Sequence, residues 1–413
     1  MDRWRWIGIN WLVKLQQASS NNHFHLAEVI MVVGGSFYSG LTTYWPRSLY
    51  YFSQILATYL VTIIISCLVE SLYPTMDSGS ALWFTLLLIF LFSGFIREYF
   101  VRKNILHITE VKHFLNHSQI TSKDNEYDAC VRRNLYRNIR ITCVGHLALV
   151  IISQFSAPIL MLQQNKYYRI PHVFQSMGPT FAIVMQFCYI MTVFPLWINK
   201  VFGPTILVTA IMLGLEKEYG IVSRGLGNFV DRKKSDVRGN NKMFWRLLDQ
   251  QLRFQIDQHL LLTKNVMKLQ LVISNLYFAI HYCAVLLIGV SIYLFLLEDS
   301  LAGRLIIVLA IVSFSFECYW WCNIAESFQI MNTSLEQHIL DLMILVPYHV
   351  DYHSDYIQLR TTLMIFKINI RNSARFSCGG IFQLSKESFV QIVQRSYTLF
   401  AFLVNIGFSN SNY

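Results

Sequence analysis

The chain has 413 residues, of which 54% are hydrophobic, 15% aromatic and 14% charged. This composition is too apolar for one soluble domain, so we expect a membrane protein in contact with the lipid bilayer. The net charge of +10 at neutral pH could indicate a nucleic-acid partner, but the basic residues are grouped between apolar runs, and we expect no nucleic acid.

Seven apolar runs follow one another along the chain, and most are long enough to cross about 30 Å of hydrocarbon as a helix. The run that begins at residue 170 is interrupted by Pro179, Pro195 and Pro204, and we interpret it as one long kinked helix preceded by a loop. The predicted fold class is therefore all-α, a single integral membrane domain over 1–413 with spans at about 48–72, 78–96, 141–165, 180–215, 269–297, 303–325 and 388–406.

The basic residues indicate how the spans are oriented. Four Lys and Arg residues precede the first span, nine lie within 97–140, eleven within 217–268 and six within 360–395, whereas the alternate connections carry almost none. Because basic residues close to spans stay in the cytoplasm, we expect the amino terminus inside and the carboxyl terminus outside. This orientation is opposite to that of G-protein-coupled receptors and argues against that class.

The long basic connections are patterned as helices. Two segments, 216–268 and 326–387, carry apolar residues at three- and four-residue spacing with charges between them. Such apolar faces must be buried, so we predict a helical cytoplasmic anchor, formed within one chain or between subunits. The apolar positions are Phe244, Leu247, Leu248, Leu252, Ile256 and Leu260 in the first segment, and Ile357, Met364, Ile365, Ile368 and Ile370 in the second.

Four ionisable residues lie in or at the base of apolar runs: Lys200, Glu317, Glu326 and Arg395. A charge at membrane depth is costly and is by default a functional candidate. We expect Glu326 only to mark the place where the sixth helix leaves the bilayer. For the other three residues, a functional role and a structural role both remain open.

No motif for catalysis accompanies these residues. The sequence has no phosphate-binding glycine loop, no His-Glu-x-x-His and no Gly-x-Ser-x-Gly, so we expect no enzyme and no cofactor. Cys318 and Cys322 lie one helical turn apart, but no further ligand follows nearby to complete a tetrahedral set. We expect no metal and interpret both cysteines as small buried apolar side chains.

Aromatic and apolar side chains in the outer halves of the spans could wall a site for a small apolar ligand, held by dispersion and burial. The same residue types also pack helices together or face lipid, so spacing alone does not decide between these roles. The candidate ligand-binding residues are Trp83, Phe84 and Leu87 in the second span, Phe155 and Pro158 in the third, Phe187 and Met191 in the fourth, and Phe314 in the sixth.

The carboxyl-terminal segment carries the most specific motif. The Gly379-Gly380 pair should end one helix, and Ser385 is placed to cap the next, with Glu387 in its first turn. The stretch 376–403 resembles the closing signature of insect odorant receptors. In that signature a glycine-containing turn with Phe-x-Leu-Ser leads to a final helix with Ser-Tyr-x-x-Phe-x-x-Leu.

This resemblance implies a ligand-gated, non-selective cation channel in the plasma membrane of sensory dendrites. Its subunits would form a tetramer with a co-receptor subunit of the same family and respond to a small apolar odorant. The final helix would line the pore, with Phe400 at the hydrophobic gate, Leu403 one turn outward, and Ser396 and Tyr397 in the same segment. A ring of apolar side chains can close a pore by dewetting.

Two other classes share parts of this pattern. The related gustatory receptors have the same architecture, but they usually end in Thr-Tyr, apolar residues and Gln-Phe, whereas this chain has Ser396-Tyr397. A secondary transporter would need an inverted internal repeat and paired broken helices, and the sequence indicates neither.

Overall fold

The computed structural model describes residues 22–36, 44–72, 78–162, 169–235, 242–346, 348–373 and 375–410. Within these ranges some side chains, among them those of Phe155 and Pro158, lie outside the described part. The helices are α1 (His25–Val33), α2 (Tyr44–Ser71), α3 (Ser78–Lys103), α4 (Ile105–Asn116), α5 (Asn125–Leu162), α6 (His172–Ser176), α7 (Pro179–Thr192), α8 (Ile198–Ser235), α9 (Lys242–Leu297), α10 (Leu301–Leu345), α11 (His353–Ser373) and α12 (Lys386–Asn410).

Seven helical stretches are long and apolar enough to cross a membrane. They lie in α2, α3, α5, the combined α7 and α8, α9, α10 and α12, in the order of the seven predicted spans. Helices are expected because a lipid environment offers no water to backbone N–H and C=O groups, which must pair within the segment. The predicted all-α, seven-helix fold class is confirmed, and the chain is a multi-pass membrane protein.

Several helices are much longer than a bilayer is thick. Helix α9 has 56 residues, which corresponds to about 84 Å at 1.5 Å per residue. Helix α10 has 45 residues and contacts both α9 and α11. These extensions carry the segments predicted to form an anchor. A hydrogen bond from Lys268 Nζ to Glu110 Oε2 (2.5 Å) also ties α9 to α4 and lowers the pKa of Glu110.

The fourth span contains the interruption predicted from its prolines. Helix α7 ends at Thr192, a five-residue π-helix covers Val193–Trp197, and α8 continues from Ile198. Pro195 lies in the π-helix, where its carbonyl accepts a hydrogen bond from Asn199 Nδ2 at 2.6 Å. Insertions of this kind leave backbone groups that a side chain must satisfy, as Asn199 does here.

The amino-terminal helix α1 packs directly on the fourth span. A Cβ atom at Gly34, just after α1, would lie 2.6 Å from the Asn199 carbonyl carbon and 2.7 Å from the Lys200 nitrogen. Only glycine permits this close approach of two backbones. The contact holds in place the segment of α8 that carries Asn199 and Lys200.

A tight hairpin introduces the last helix. Strands β1 (Ser377–Cys378) and β2 (Phe382–Gln383) pair antiparallel, and Gly379 and Gly380 between them have φ angles of +56° and +76°. Ser385 Oγ then accepts from the Ser388 N–H at 3.4 Å, while Ser388 Oγ accepts from the Ser385 N–H at 3.0 Å. The predicted serine cap is confirmed. The glycine pair does not end a helix as predicted: α11 already ends at Ser373, and the glycines form the turn of the hairpin.

Candidate functional site

Two adjoining cavities lie between the second, third, fourth, fifth and sixth spans. The smaller, which we call the Phe314 cavity, has a volume of about 120 Å³ and an almost entirely apolar wall. The larger, which we call the Glu317 cavity, has a volume of about 480 Å³ and is lined by α5, α8 and α10. Both cavities are bordered by Leu149, Phe202 and Ser313.

Three of the predicted ligand-binding residues come together in the wall of the Phe314 cavity: Trp83, Leu87 and Phe314. The Phe314 ring contacts Phe90 edge to face, with ring centroids 5.7 Å apart, and stacks on Phe202 at 5.8 Å. Aromatic pairs in these geometries fix one another's orientation, so the rings of this wall are held in place by their neighbours. Whether these residues bind a ligand stays a prediction.

The remaining candidates lie elsewhere or outside the described part. Phe84 is fully buried but lies outside both cavity walls, and its ring is 5.9 Å from the Arg169 guanidinium carbon. Phe187 is an exposed residue of α7, and the sulfur of Met191 accepts a hydrogen bond from Gln154 Nε2 at 2.8 Å. The side chains of Phe155 and Pro158 are outside the described residues.

The cavity walls also contain residues that the sequence reasoning did not select. Phe202 and Ile198 in α8, and Leu287 and Ser291 in α9, line the Phe314 cavity. Leu287 and Ser291 lie four residues apart, on one face of the fifth span, which had not been assigned any ligand-binding role. Nothing in the local pattern distinguishes these residues from lipid-facing ones, because each of them lies in a continuous apolar run.

A buried ion pair lies beside the Glu317 cavity. Arg97 Nη1 lies 2.6 Å from Glu317 Oε1 and also donates to the Val201 carbonyl at 3.2 Å, while Arg97 Nε donates to Ser93 Oγ at 3.1 Å. Arg97 had been counted with the basic segment after the second span, yet α3 continues to Lys103 and buries it completely. The pair joins the second span to the sixth.

A second buried pair joins the second span to the fourth. Lys200 Nζ lies 2.6 Å from Glu98 Oε2 and 4.9 Å from the centre of the Phe95 ring. The other oxygen of Glu98 is 2.5 Å from Arg102, which is partly exposed. Lys200 and Glu317, whose roles the sequence left open, are therefore partners in buried ion pairs that hold three spans together.

The two charges nearer the last helix have simpler surroundings. Arg395 Nη1 donates to His281 Nε2 at 3.3 Å, which connects α12 to α9. Glu326 is half-buried and lies 3.3 Å from Lys386, at the start of α12. Among the described residues, no group of three or more His, Cys, Asp or Glu side chains is arranged to hold a metal ion.

The predicted pore residues divide between the two sides of α12. Ser396 is buried against α9, since a Cβ atom at Gly289 would lie 3.0 Å from the Ser396 carbonyl oxygen and 2.9 Å from Leu399 Cδ2. Tyr397 is exposed and contacts the half-buried Phe400, with ring centroids 6.1 Å apart. Leu403 is also half-buried. In the most apolar stretch of this span, only 11% is buried within the chain.

No protein-family model matches the sequence, and no curated protein matches it. Solved structures do. The structure of the insect olfactory receptor OR5 from Machilis hrabei matches with a TM-score of 0.68 and 11% sequence identity, covering 97% of this chain and 99% of that one. The chain has the fold of an insect olfactory receptor. The same receptor in complex with eugenol matches with a TM-score of 0.67 and 12% identity, covering 93% of this chain and 99% of that one.

The insect olfactory receptor fold accounts for features that the sequence indicated separately. The match covers 97% of a chain that contains the seven spans, the long extensions of α9 and α10 and the hairpin before α12. At 11% identity the likeness concerns the fold alone.

Proposed function

We propose that this chain is an odorant-receptor subunit of a ligand-gated, non-selective cation channel, and that a small, largely apolar molecule opens it. The observation that carries the proposal is the pair of apolar cavities inside a fold that is also known from a receptor solved with eugenol. Apolar walls with few polar groups bind small apolar molecules by burial and dispersion. No catalytic role is proposed.

The low burial of the last helix within its own chain supports the proposal that the protein is a channel. The most apolar stretches of the second and fifth spans are each 50% buried within the chain, whereas the most apolar stretch of the seventh span is 11% buried. A span with so little packing in its own chain suits a position between subunits, around a shared axis. We propose that four subunits place α12 around a pore and that Phe400 forms the gate, with Leu403 one turn outward.

The anchor helix α11 supports an assembly of several chains. Ile365 is 56% exposed, whereas its neighbour Phe366 is 3% exposed and packs inside the chain. Ile357, Met364 and Ile368 are exposed in the same way. We propose that neighbouring subunits, including a co-receptor of the same family, bury this face in the cytoplasm. The amino terminus would then lie inside and the carboxyl terminus outside the plasma membrane of a sensory dendrite.

Helix α9 offers a direct connection between ligand and gate. Leu287 and Ser291 face the Phe314 cavity, while Gly289, on the opposite side of the same helical turn, touches Ser396 and Leu399 of α12. A ligand with higher affinity for the open arrangement would shift α9 and α12 together and move Phe400 away from the axis. A ligand with equal affinity for both arrangements would leave the channel closed.

Current recording in cells that co-express the co-receptor tests the proposal. Small odorants should evoke a cation current from wild type, and Phe400→Ala should raise the current without ligand because the apolar ring is lost. Phe92→Ala is the matched control, since it removes an exposed phenylalanine ring from α3 and leaves α12 unchanged. A closed state that Phe400→Ala leaves unchanged would contradict the role of Phe400. Absence of current with any odorant would contradict the function.

A further inference from the structure

The Glu317 cavity contains a carboxylate oxygen that nothing in the described part of the chain satisfies. Glu317 is 8% exposed and lines the cavity, and its Oε1 accepts from Arg97. Its Oε2 is buried and has no hydrogen-bond partner among the described residues. Because an unsatisfied buried acceptor is costly, this oxygen is suited to receive a donor from a molecule in the cavity.

An unsatisfied donor lies one helical turn away. The indole Nε1 of Trp320 is buried, and it too has no hydrogen-bond partner within the described ranges. Trp320 also lines the cavity, and residues three apart on a helix, as Glu317 and Trp320 are, have neighbouring side chains. The cavity therefore has one acceptor and one donor, both unsatisfied, on the same face of α10.

Three hydroxyl groups in the wall already donate their protons elsewhere. Thr142, Thr205 and Ser313 each donate their hydroxyl proton to a backbone carbonyl of their own helix, at 3.0, 2.8 and 2.7 Å. Each hydroxyl can still accept a hydrogen bond. These three hydroxyls therefore act in the wall as acceptors, which again favours a ligand that can donate.

His146 fits the same pattern. Asn199 Nδ2 donates to the Pro195 carbonyl, so Asn199 Oδ1 must be the acceptor in its 2.9 Å contact with His146 Nε2. His146 consequently carries its proton on Nε2, and in the neutral ring Nδ1 is an acceptor.

Nearby charges restrict the class of ligand further. The buried cations Arg97 and Lys200 are balanced by the carboxylates of Glu317 and Glu98. An ammonium group would add an uncompensated charge to this buried cluster and could not accept from Trp320. A carboxylate would face the unsatisfied oxygen of Glu317. A neutral hydroxyl has neither disadvantage, and of these three groups only the hydroxyl can both donate to Glu317 and accept from Trp320.

We propose that the Glu317 cavity selects ligands with a hydroxyl group, alcohols or phenols, whose oxygen donates to Glu317 Oε2 and accepts from Trp320 Nε1. This inference rests on the proposed function and adds the chemical class of the ligand. Ethers, esters and ketones of the same shape can only accept a hydrogen bond, and protonated amines can only donate one. The rest of the ligand lies against the apolar walls.

The test compares octanol with its isomer heptyl methyl ether on purified wild-type protein in lipid nanodiscs. Binding is followed through tryptophan fluorescence, since Trp320 and Trp321 line the cavity, and empty nanodiscs correct for partition into lipid. We expect octanol to bind at least about tenfold more tightly than the ether. Equal affinities, or no binding of either compound, would overturn the inference.

Two double variants test whether the preference for octanol over the ether depends on Glu317. The double variant Arg97→Met with Glu317→Leu removes both members of a buried ion pair, a change that such sites tolerate better than loss of one charge. It should bind octanol and the ether equally. The matched control, Lys200→Met with Glu98→Leu, removes the neighbouring pair and should keep the preference. Retention of the preference in the first variant, or its loss in the control, would overturn the inference.

These outcomes are separate from those of the proposed function. If odorants open the channel and octanol has no advantage over the ether, only the hydroxyl selection fails. If octanol is preferred in the fluorescence titration and no odorant evokes current, the channel function fails while the selectivity of the cavity stands.

Discussion

The bundle around the two cavities and the last helix differ in how much of their surface their own chain buries. In the bundle, Arg97 and Glu317 are paired inside the protein, and aromatic rings such as Phe314 are packed on neighbouring helices. On α12, Tyr397 and Phe402 remain exposed. The comparison teaches that one chain suffices to build the two cavities, whereas α12 keeps an uncovered face, which the proposed pore between several chains would use.

The largest expected effect comes from breaking the bundle at its ion pairs. Arg97→Met leaves the Glu317 carboxylate buried without its cation and should destabilise the chain by about 3–5 kcal/mol. The thermal unfolding midpoint of purified protein measures this loss. Arg253→Met is the control, because its pair with Asp249 is exposed to solvent and should contribute no more than about 1 kcal/mol. Equal midpoints for the two variants would mean that the buried pairs do not hold the bundle.

A smaller effect is expected from filling the Phe314 cavity. Ala310 lines it, and Ala310→Phe should occupy much of its volume of about 120 Å³. A ligand could enter only by forcing the new ring aside, at a cost of about 1–3 kcal/mol, so odorant potency should fall by about tenfold or more while the protein still reaches the membrane. Leu305→Phe adds the same ring to an exposed position of α10 and should leave the dose–response curve unchanged. Unchanged potency in Ala310→Phe would place the ligand outside this cavity.

Much of the fold could be predicted from the sequence because each span is recognisable from a short stretch of neighbouring residues. The seven apolar runs, the proline interruption near Pro195 and the serine cap at Ser385 depend on neighbouring residues only, and the structure contains all of them. The burial of Arg97 could not be predicted in the same way. Its partner Glu317 is 220 residues away, and no local pattern records that pairing.

The anchor shows a second limit of sequence patterns. Helix α11 carries apolar residues on more than one face, and the sequence pattern selected Ile357, Met364, Ile365, Ile368 and Ile370. Of these, only Ile370 is buried within the chain, together with Leu359, Leu363 and Phe366. Spacing identifies an apolar face, but it does not say whether the chain itself or a neighbouring subunit covers that face.

The most modest expected effect lies at the contact between the two regions. A Cβ atom at Gly289 would press on Ser396 and Leu399, so Gly289→Ala should displace α12 by a few tenths of an ångström. We expect a changed basal current or odorant sensitivity, with odorant binding retained. In Gly220→Ala the added methyl group meets no atom within 4 Å, and currents should match wild type. Identical currents for Gly289→Ala would remove this contact from the gating pathway.

The difference between the two regions is tested most directly by odorant binding to a chain that cannot assemble. Ile365→Ser combined with Ile368→Ser makes the exposed face of α11 polar and leaves the buried residues Leu363 and Phe366 in place. The purified variant should be a single chain, bind an odorant that opens the wild-type channel with wild-type affinity, and pass no current. Loss of odorant binding together with assembly, in a chain that remains folded, would contradict the conclusion that one chain builds the ligand cavities.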